Sequence, residues 1–327
     1  MTLLSVKAES FPIRGSFTIS RGSKTVAEVV TVEVRDAPFF GRGECVPYGR
    51  YGETVAGVIQ DLEKLVPEVA AGLTRAELQT VLPPGAARNA LDCAFWDLEA
   101  KAARLPVWQL LGLKQLDPVT TAYTLSLDTP DNMAAAAKSN ASRPVLKLKL
   151  KGDSEDLGRI QAVHAQAPNA KLIVDANEAW TEESYRFLMP KLRDLGVALI
   201  EQPFPADADD ILRDLPHEIP ICADESCHGV KTLSSLQGKY EFINIKLDKT
   251  GGLTEAMTLK REAIKGGYQI MVGSMLATSL SMAPALILAQ GVQFADLDGP
   301  LLLAKDREPG LSYSGSVISP TEAKLWG

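Results

Sequence analysis

Five charged residues each end a short apolar run, and together they could carry out one reaction. Three are acidic (Asp175, Glu201 and Asp224), and two are basic (Lys149 and Lys246). Because a charged group at the core-facing end of a strand is costly unless it is paired or used, we interpret this set as a site. Three carboxylates that lie close together repel one another unless a cation lies between them. A ligand set of oxygen atoms without His or Cys favours a hard ion, so we predict one Mg²⁺, with Mn²⁺ as a substitute.

The two lysines predict acid–base chemistry at one carbon atom. In a ring of eight strands Lys149 would end the second strand and Lys246 the sixth, so the two would face each other across the metal. A lysine in a dry, cationic setting has a lowered pKa and can act as a base. One lysine would remove an α-proton to give a metal-stabilised enediolate, and the other would protonate the opposite face. Lys147, on the same strand face as Lys149, is predicted to hold a carboxylate oxygen of the substrate.

A repeat along the chain predicts the elements that position these residues. In residues 145–150 apolar side chains alternate with lysines, as in a strand. Later apolar runs end at residues 175, 201, 224, 246, 274 and 296, at steps that suit one strand, one helix and two loops. Such alternation predicts a parallel sheet covered on both faces. With residues 119–124 as an earlier strand there are eight, which favours an α/β barrel with its active site at the carboxyl ends of the strands.

The remaining chain divides around this barrel. Residues 1–115 are predicted to form an α+β capping domain, residues 116–300 the barrel domain with the catalytic site, and residues 301–327 a tail that packs on the cap. Within the cap we predict loops over residues 20–24 and 47–54 and one long helix over residues 86–103. Its charged residues Arg88, Asp92 and Glu99 are expected to be solvated.

Composition excludes several classes of protein. The 327 residues include 34 basic and 41 acidic side chains, a net charge of −7 that offers no footprint for nucleic acid or an anionic membrane. We find no signal peptide and no apolar run near the ~18 residues of a membrane span. The four cysteines show no CxxC spacing, so reduced thiols are expected. These features favour a cytoplasmic enzyme and leave the oligomeric state open, a homo-oligomer included.

Two further features have alternative interpretations. Asp296 and Asp298 share a strand face at the end of the eighth strand, where they could support other site residues through a salt bridge or clamp an ammonium group of the substrate. Arg21 could meet a substrate carboxylate from the loop above the barrel, or it could be a solvated loop residue. The spacing of these residues does not decide between the alternatives.

Several motifs together resemble the enolase superfamily, in its muconate lactonizing enzyme subgroup. The motifs are ALDCAFWDLE at residues 90–99, the Lys147-x-Lys149 pair, DAN at 175–177, EQP at 201–203, ADES at 223–226 and IKLDKTGG at 245–252. Asp296-Leu297-Asp298-Gly299 more specifically resembles the dipeptide epimerases. Residues 44–53 and Arg21 further resemble the L-Ala-D/L-Glu epimerases of murein peptide recycling.

The resemblance implies a modified TIM barrel, (β/α)7β, with an N-terminal capping domain. It also implies Mg²⁺ on the three carboxylates, Lys149 and Lys246 as the acid/base pair, and a two-base 1,1-proton transfer at the C-terminal residue of a dipeptide. The Asp-x-Asp pair would bind the α-ammonium group of the dipeptide, and Arg21 its glutamate side chain. The residues implied to line the pocket are Thr124, Ser274 and Met275.

Other functions remain as alternatives. A lyase or cycloisomerase of the same superfamily, such as an o-succinylbenzoate synthase, acts on substrates without an ammonium group, which Asp296 and Asp298 disfavour. A dipeptide epimerase of other specificity would keep every residue of the mechanism. A non-catalytic barrel would leave both lysines unexplained, and a Schiff-base aldolase would need only Lys246. His164, His217 and His228 fall outside the ring, which disfavours the sugar-acid dehydratases.

Overall fold

The N-terminal unit of the computed structural model, which describes residues 2–327, begins with an antiparallel sheet. Its strands, in spatial order, are β1 (Leu3–Ile19), β2 (Gly22–Asp36) and β3 (Phe39–Cys45). The predicted loop over residues 20–24 is wrong, because β2 already begins at Gly22 and Thr18 pairs with Ser23. Polar residues suit this end of the hairpin because it is largely exposed. Only Ser20 and Arg21 form the turn, so Arg21 lies at the tip of the hairpin.

Five helices complete this unit; the first, second and fourth pack on the sheet, and the third and fifth pack on the fourth. They are α1 (Val55–Glu63), α2 (Val66–Ala70), α3 (Arg75–Val81), α4 (Ala86–Ala103) and α5 (Val107–Leu110). The long predicted helix is therefore confirmed as α4. It lies so close to β3 that a Cβ atom at Gly41 or Gly43 would overlap the backbone of α4, at Ala94 and Ala90 respectively. Glycine is needed at both positions because only a residue without a side chain permits this approach.

Two charges on α4 are buried, contrary to the prediction that they are solvated. Arg88 donates to the carbonyl oxygens of Thr250 and Gly251, and Asp92 accepts from the backbone and hydroxyl groups of Thr254. Helical periodicity could not reveal this because the partners are about 160 residues away in the chain. These contacts tie the cap to the segment that follows Lys246.

The second unit is the predicted parallel barrel. Its strands are β5 (Tyr123–Leu125), β6 (Val145–Lys149), β7 (Lys171–Asp175), β8 (Val197–Glu201), β9 (Ile221–Ala223), β10 (Phe242–Ile245), β11 (Gln269–Gly273) and β12 (Phe294–Asp296). Each strand pairs with the next in sequence, and a parallel bridge between Thr121 and Ala295 closes the ring. The fold class is therefore the predicted one, an α/β barrel with a separate antiparallel N-terminal sheet.

The predicted first strand, residues 119–124, is divided between two sheets. β4 (Val119–Thr120) pairs with β14 (Val317–Ile318), which pairs with β13 (Tyr313–Ser314). The chain changes partner at the next two residues, since Thr121 N donates to Ser316 O and Ala122 N donates to Ala295 O. The barrel strand therefore starts at Tyr123. The apolar pattern could not predict this because it continues across the change of partner.

Eight helices accompany the barrel strands. They are α6 (Pro130–Ser139), α7 (Asp156–Gln166), α8 (Glu182–Asp194), α9 (Leu233–Leu236), α10 (Leu247–Thr250), α11 (Leu253–Lys265), α12 (Ser279–Leu288) and α13 (Gly299–Leu302). The connection after β8 instead holds a 3₁₀ helix, Asp209–Asp214, and shorter 3₁₀ helices cover Gly49–Tyr51 and Val230–Thr232. Most of the core lies between the helices and the outer face of the strands.

The C-terminal segment lies against the N-terminal unit. Trp326 Nε1 donates to Cys93 O at 3.0 Å, and Gly327 N donates to Asp97 Oδ1 at 2.7 Å. Arg307 pairs with the buried carboxylate of Glu44 at 2.7 Å. Among the helices of residues 2–327, none has the length and apolar character that a membrane crossing requires.

Candidate active site

A cavity of about 370 Å³ lies between the hairpin tip of the cap and the carboxyl ends of the barrel strands. Ten of the twelve predicted site residues line it: Arg21, Thr124, Lys147, Lys149, Asp224, Lys246, Ser274, Met275, Asp296 and Asp298. The other two, Asp175 and Glu201, are fully buried. They contact Lys147, which lines the cavity, and therefore lie just behind its wall.

Strand register brings the three acidic residues together. Asp175 and Glu201 are the last residues of β7 and β8 and pair directly in register, and Asp224 follows β9. Side chains at the carboxyl ends of neighbouring parallel strands meet at one edge of a barrel. All three are at most 2% exposed. The structure therefore places the predicted ligand set on one side of the barrel mouth.

Lysine ammonium groups lie against each of these carboxylates. Lys149 Nζ is 2.5 Å from Asp175 Oδ2, and Lys246 Nζ is 2.6 Å from Asp224 Oδ2. Lys147 Nζ is 2.6 Å from Glu201 Oε2 and 3.2 Å from Asp175 Oδ2. Lys149 and Lys246 belong to β6 and to the end of β10, four strands apart in the ring. They therefore approach the cavity from opposite sides, as the spacing predicted.

Burial and charge shift the pKa values of these groups in different directions. Burial would raise the pKa of Asp175, but the ammonium groups of Lys149 and Lys147 outweigh it and hold the pKa low. Burial, followed by the charge of Asp175, raises the pKa of Glu201 to about 7. Burial would lower the pKa of Lys246, but the carboxylate of Asp224 outweighs it, so this pKa lies above its usual range. The nearest charge of Lys246 is the carboxylate of Asp224, so a lowered lysine pKa stays a prediction for the site with a cation bound.

The donor set fits a hard divalent cation. Asp175, Glu201 and Asp224 offer only oxygen atoms, and Glu201 Oε2 has no hydrogen-bond partner among residues 2–327, since Lys147 lies off the hydrogen-bond direction. Burial, followed by the charge of Asp175, raises the pKa of Glu201, so a cation beside this carboxylate would favour its charged form. As they lie, no three His, Cys, Asp or Glu side chains of the described chain are gathered at metal-binding distance, because lysines separate the carboxylates. The fit therefore rests on ligand chemistry, burial and the unpartnered oxygen.

Asp296 and Asp298 lie at the edge of the cavity beside β5. Asp296 Oδ2 is 2.8 Å from Lys147 Nζ, and Asp298 Oδ2 accepts a hydrogen bond from Thr124 N at 2.6 Å. Burial, followed by the charge of Asp296, raises the pKa of Asp298 to about 7. Ser274 Oγ donates to Asp296 O at 3.3 Å.

Arg21 reaches over the cavity from the cap, but its guanidinium group is occupied. It donates to Glu225 Oε1 at 2.7 Å, Glu178 Oε2 at 3.2 Å, the hydroxyl of Tyr48 at 3.1 Å and a backbone carbonyl at 2.9 Å. Lys24, on the same hairpin, also lines the cavity, and its ammonium lies 5.9 Å from the ring centre of Tyr48. It makes no ion pair with any acid in the described part of the chain. Of the two cations that this hairpin places at the cavity, Lys24 is thus the one without an ion-pair partner among the described residues.

Three buried residues around the carboxylates escaped the sequence analysis. Lys249 Nζ is 2.6 Å from Asp224 Oδ1, Asn244 Nδ2 donates to Glu201 Oε1 at 2.9 Å, and Gln202 Oε1 accepts from Asp224 N at 2.9 Å. Lys249 stands in the IKLDKTGG motif and Gln202 in EQP, but a motif does not show which side chain faces which. Asn244 carried one signal, because it is a polar residue inside the apolar run 242–245.

Two family models cover most of the chain. Residues 132–305 match "Enolase C-terminal domain-like", and residues 1–112 match "Mandelate racemase / muconate lactonizing enzyme, N-terminal domain". The chain belongs to the enolase superfamily. The resemblance inferred from the motifs is therefore confirmed.

Curated members of the enolase superfamily are similar over almost their whole length. The L-Ala-D/L-Glu epimerase of Escherichia coli (strain K12) is 47% identical over 315 residues, covering 96% of this chain and 98% of the relative. An N-acetyl-D-glutamate racemase of Pseudoalteromonas sp is 43% identical over 302 residues, covering 91% of this chain and 95% of the relative.

Solved superfamily structures share the complete architecture. A family member from Agrobacterium tumefaciens with homology to dipeptide epimerases, with bound sodium and L-Ala-L-Glu, is 54% identical with a TM-score of 0.98 and full coverage of both chains. A dipeptide epimerase from Enterococcus faecalis V583, complexed with Mg and L-Leu-L-Tyr, is 29% identical with a TM-score of 0.90. That match covers 98% of this chain and 97% of the other.

Proposed function

We propose that this protein is a Mg²⁺-dependent dipeptide epimerase that inverts the α-carbon of the C-terminal residue, with L-Ala-D/L-Glu as its preferred substrate. The observation that carries the proposal is the position of Lys149 and Lys246 on opposite sides of one cavity, with three buried carboxylates between them. Inversion needs one group to remove a proton from one face and another to protonate the opposite face. The similar epimerases support this assignment.

The two lysines exchange roles with the direction of the reaction. The Nζ atom of one lysine takes the α-proton from the L epimer while the Nζ atom of the other gives a proton to the opposite face. For the D epimer the roles reverse. A lysine acts as a base only when it is neutral, so the carboxylate that now raises the pKa of Lys246 must be compensated during the reaction.

Asp175, Glu201 and Asp224 would hold the Mg²⁺, with Mn²⁺ as a substitute. Bound there, the ion would stabilise the negative charge that develops on the substrate carboxylate as the α-proton leaves. It would also offset the negative charge that surrounds Lys246. Lys147 is 2.6 Å from Glu201 and 2.8 Å from Asp296. It would contact the substrate carboxylate and keep the oxygen atoms of that carboxylate oriented.

Asp296 and Asp298 would bind the α-ammonium group of the dipeptide. Asp298 is held by Thr124, and burial, followed by the charge of Asp296, raises the pKa of its carboxyl group, so a nearby ammonium group would favour its charged form. Ser274 and Met275 would line the wall beside it. Arg21, from the cap, would meet the glutamate side chain. We propose that the reaction serves the recycling of murein peptides in the cytoplasm, as the resemblance to the L-Ala-D/L-Glu epimerases implies.

The proposal is tested by incubating L-Ala-L-Glu with the protein and Mg²⁺ in D₂O and following the proton NMR spectrum, with an EDTA control. We expect the glutamate α-proton signal to disappear and the L,D diastereomer to appear, and EDTA to abolish both changes. Exchange only with other dipeptides would keep the mechanism and move the specificity. Silence across a dipeptide panel would contradict the proposal and favour the lyase alternative, o-succinylbenzoate synthase included.

A second candidate is racemisation of an N-acylated glutamate, because one similar relative is an N-acetyl-D-glutamate racemase. The same lysines and carboxylates would serve both reactions, but an acetyl group offers no ammonium to Asp296 and Asp298. Turnover of N-acetyl-D-glutamate and L-Ala-L-Glu, measured side by side as kcat/KM, separates the candidates. We expect the dipeptide to be preferred.

A further inference from the structure

Gln202 follows Glu201 at the end of β8 and is completely buried, yet it does not line the cavity. Its φ of 36° lies in the left-handed region, which residues other than glycine rarely adopt. Such a conformation persists when the surrounding contacts over-determine it. The local backbone therefore directs this side chain away from the substrate and towards the next strand end.

The side-chain amide of Gln202 joins two strand ends. Its Oε1 accepts from the backbone N–H groups of Asp224 at 2.9 Å and Ser226 at 3.1 Å. The two N–H groups of its Nε2 have three acceptors within hydrogen-bond distance: Phe204 O at 2.9 Å, Ser226 Oγ at 2.8 Å and the Tyr240 hydroxyl at 3.0 Å. The hydrogen-bonding capacity of the amide is thus used in full. Gln202 is thus hydrogen-bonded to the segment that carries Asp224, and it directly follows Glu201 in the chain.

A buried ion pair lies behind this amide. Asp209 Oδ2 accepts from Ser226 Oγ and from the Tyr240 hydroxyl, each at 2.6 Å, and Lys239 Nζ is 2.5 Å from Asp209 Oδ1. Both hydroxyl partners of Gln202 are therefore oriented by the same carboxylate. A fully connected buried network of this kind fixes one arrangement, because each group left unpaired there would be costly.

We propose that Gln202 is a positioning residue for the metal, fixing the backbone of Asp224 relative to Glu201 so that both carboxylates address one ion. This inference rests on the proposed function, since it assumes that the carboxylates hold Mg²⁺. The partners that orient metal ligands typically contribute about 10- to 100-fold to metal affinity or activity. Gln202 contacts neither the cavity nor a lysine of the mechanism, so its loss should act through the ligands.

The test compares Mg²⁺ affinity in the wild type, Gln202→Leu and Gln79→Leu by isothermal titration calorimetry with Mg²⁺ alone. We expect Gln202→Leu to bind Mg²⁺ about 10- to 100-fold more weakly, with kcat largely restored at saturating Mg²⁺. Gln79, a half-buried glutamine that bonds to Asp92 in the cap, is the matched control and should leave the affinity unchanged. A lower melting temperature with unchanged Mg²⁺ affinity in Gln202→Leu would overturn the proposal.

Tyr240→Phe provides a second test should Gln202→Leu fail to fold. It removes one of the two hydroxyl groups that link Gln202 to Asp209 and leaves the amide two other acceptors. We expect a weakening of Mg²⁺ binding that is smaller than that of Gln202→Leu, and an unchanged affinity in this folded variant would contradict the role. If the wild type itself binds no Mg²⁺, the proposed function fails first, and that result is distinct from equal binding by wild type and variant.

Discussion

The floor and the rim of the cavity are built differently. The floor consists of the charged residues at the barrel strand ends: Lys147, Lys149, Asp175, Glu201, Asp224, Lys246, Asp296 and Asp298. The rim consists of Arg21, Lys24, Tyr48 and Arg50 of the cap with Glu178 of the barrel. The ion-paired side chains of the floor are at most 9% exposed, whereas the side chains of Arg21 and Arg50 are 28% and 38% exposed. The floor is fixed by strand register, which suits a reaction that needs exact geometry. The rim is held by ion pairs between partly exposed arginines and buried acids, which suits recognition of a variable side chain.

The comparison predicts the largest effect for the lysines of the floor. Lys149→Ala and Lys246→Ala should each abolish epimerisation, because one base cannot invert the centre, and such groups are worth about 10²- to 10⁴-fold in rate. Each variant should still exchange the α-proton of one epimer in D₂O, and the two variants should differ in which. Lys151→Ala, an exposed lysine beyond β6, is the matched control. Wild-type turnover in either active-site variant would rule out the two-base mechanism.

A stability effect is expected at Asp248, in the turn after Lys246. Burial raises the pKa of this carboxyl group to about 7, and it accepts hydrogen bonds from Val46 N and Asn89. Because the folded pKa exceeds the unfolded one, near 3.8, this group's contribution to stability is present below pH 3.8 and is lost as pH rises through 7.

The wild type should therefore lose free energy of unfolding between pH 4 and 8, on the order of a few kcal/mol, since one pKa unit corresponds to about 1.36 kcal/mol. Asp248→Asn should not show this loss. Urea unfolding of both proteins across this range measures it. An identical pH dependence of the two proteins would contradict the raised pKa of Asp248 as the source of this effect.

Asp296→Asn should act on binding more than on chemistry. A hydrogen bond to a charged group is worth about 1.5–3 kcal/mol, so KM for L-Ala-L-Glu should rise about 10- to 100-fold. The variant should lose less on N-acetyl-D-glutamate, which has no ammonium group. Steady-state kinetics with both substrates provide the measurement, and equal losses would assign Asp296 to holding Lys147 instead.

The smallest effects are expected at the rim. Arg21→Ala and Lys24→Ala should each lower kcat/KM for L-Ala-L-Glu more than for L-Ala-L-Leu, by a few-fold, because exposed ion pairs are worth about 0.2–1 kcal/mol. Since Arg21 already pairs with Glu225 and Glu178, the comparison of the two variants shows which cation receives the substrate carboxylate. A loss that is equal for both dipeptides would remove the residue from the specificity pocket.

The residues of the floor could be predicted from the sequence because their positions follow from the two-residue period of strands and from the strand–helix repeat. Alternation places Lys147 and Lys149 on one face, and a repeat of one strand and one helix places Asp175, Glu201 and Asp224 side by side. The structure confirms the barrel that this repeat predicted. It leaves the roles of these residues as predictions.

The other features of the fold and the site depend on contacts between residues far apart in the chain, which sequence periodicity does not predict. The change of partner at Thr121 and the burial of Arg88 are set by residues more than 150 positions away in the chain. The pairing of Arg21 with Glu225 likewise joins a cap turn to a barrel loop. Gln202 was visible as part of a motif, but its grip on Asp224 depends on a left-handed backbone that the sequence does not reveal.

The closure of the barrel also has a consequence for folding. The bridge between Thr121 and Ala295, and the bond from Thr124 to Asp298 beside it, join parts of the chain 174 residues apart. Contacts of such long sequence separation carry a large loop-closure entropy and form slowly. Asp296 and Asp298 lie where the first and last barrel strands meet. Asp175, Glu201 and Asp224, in contrast, belong to strands that are consecutive in the chain. During synthesis from the N-terminus, the cluster of carboxylates can therefore assemble before Asp296 and Asp298 are in place.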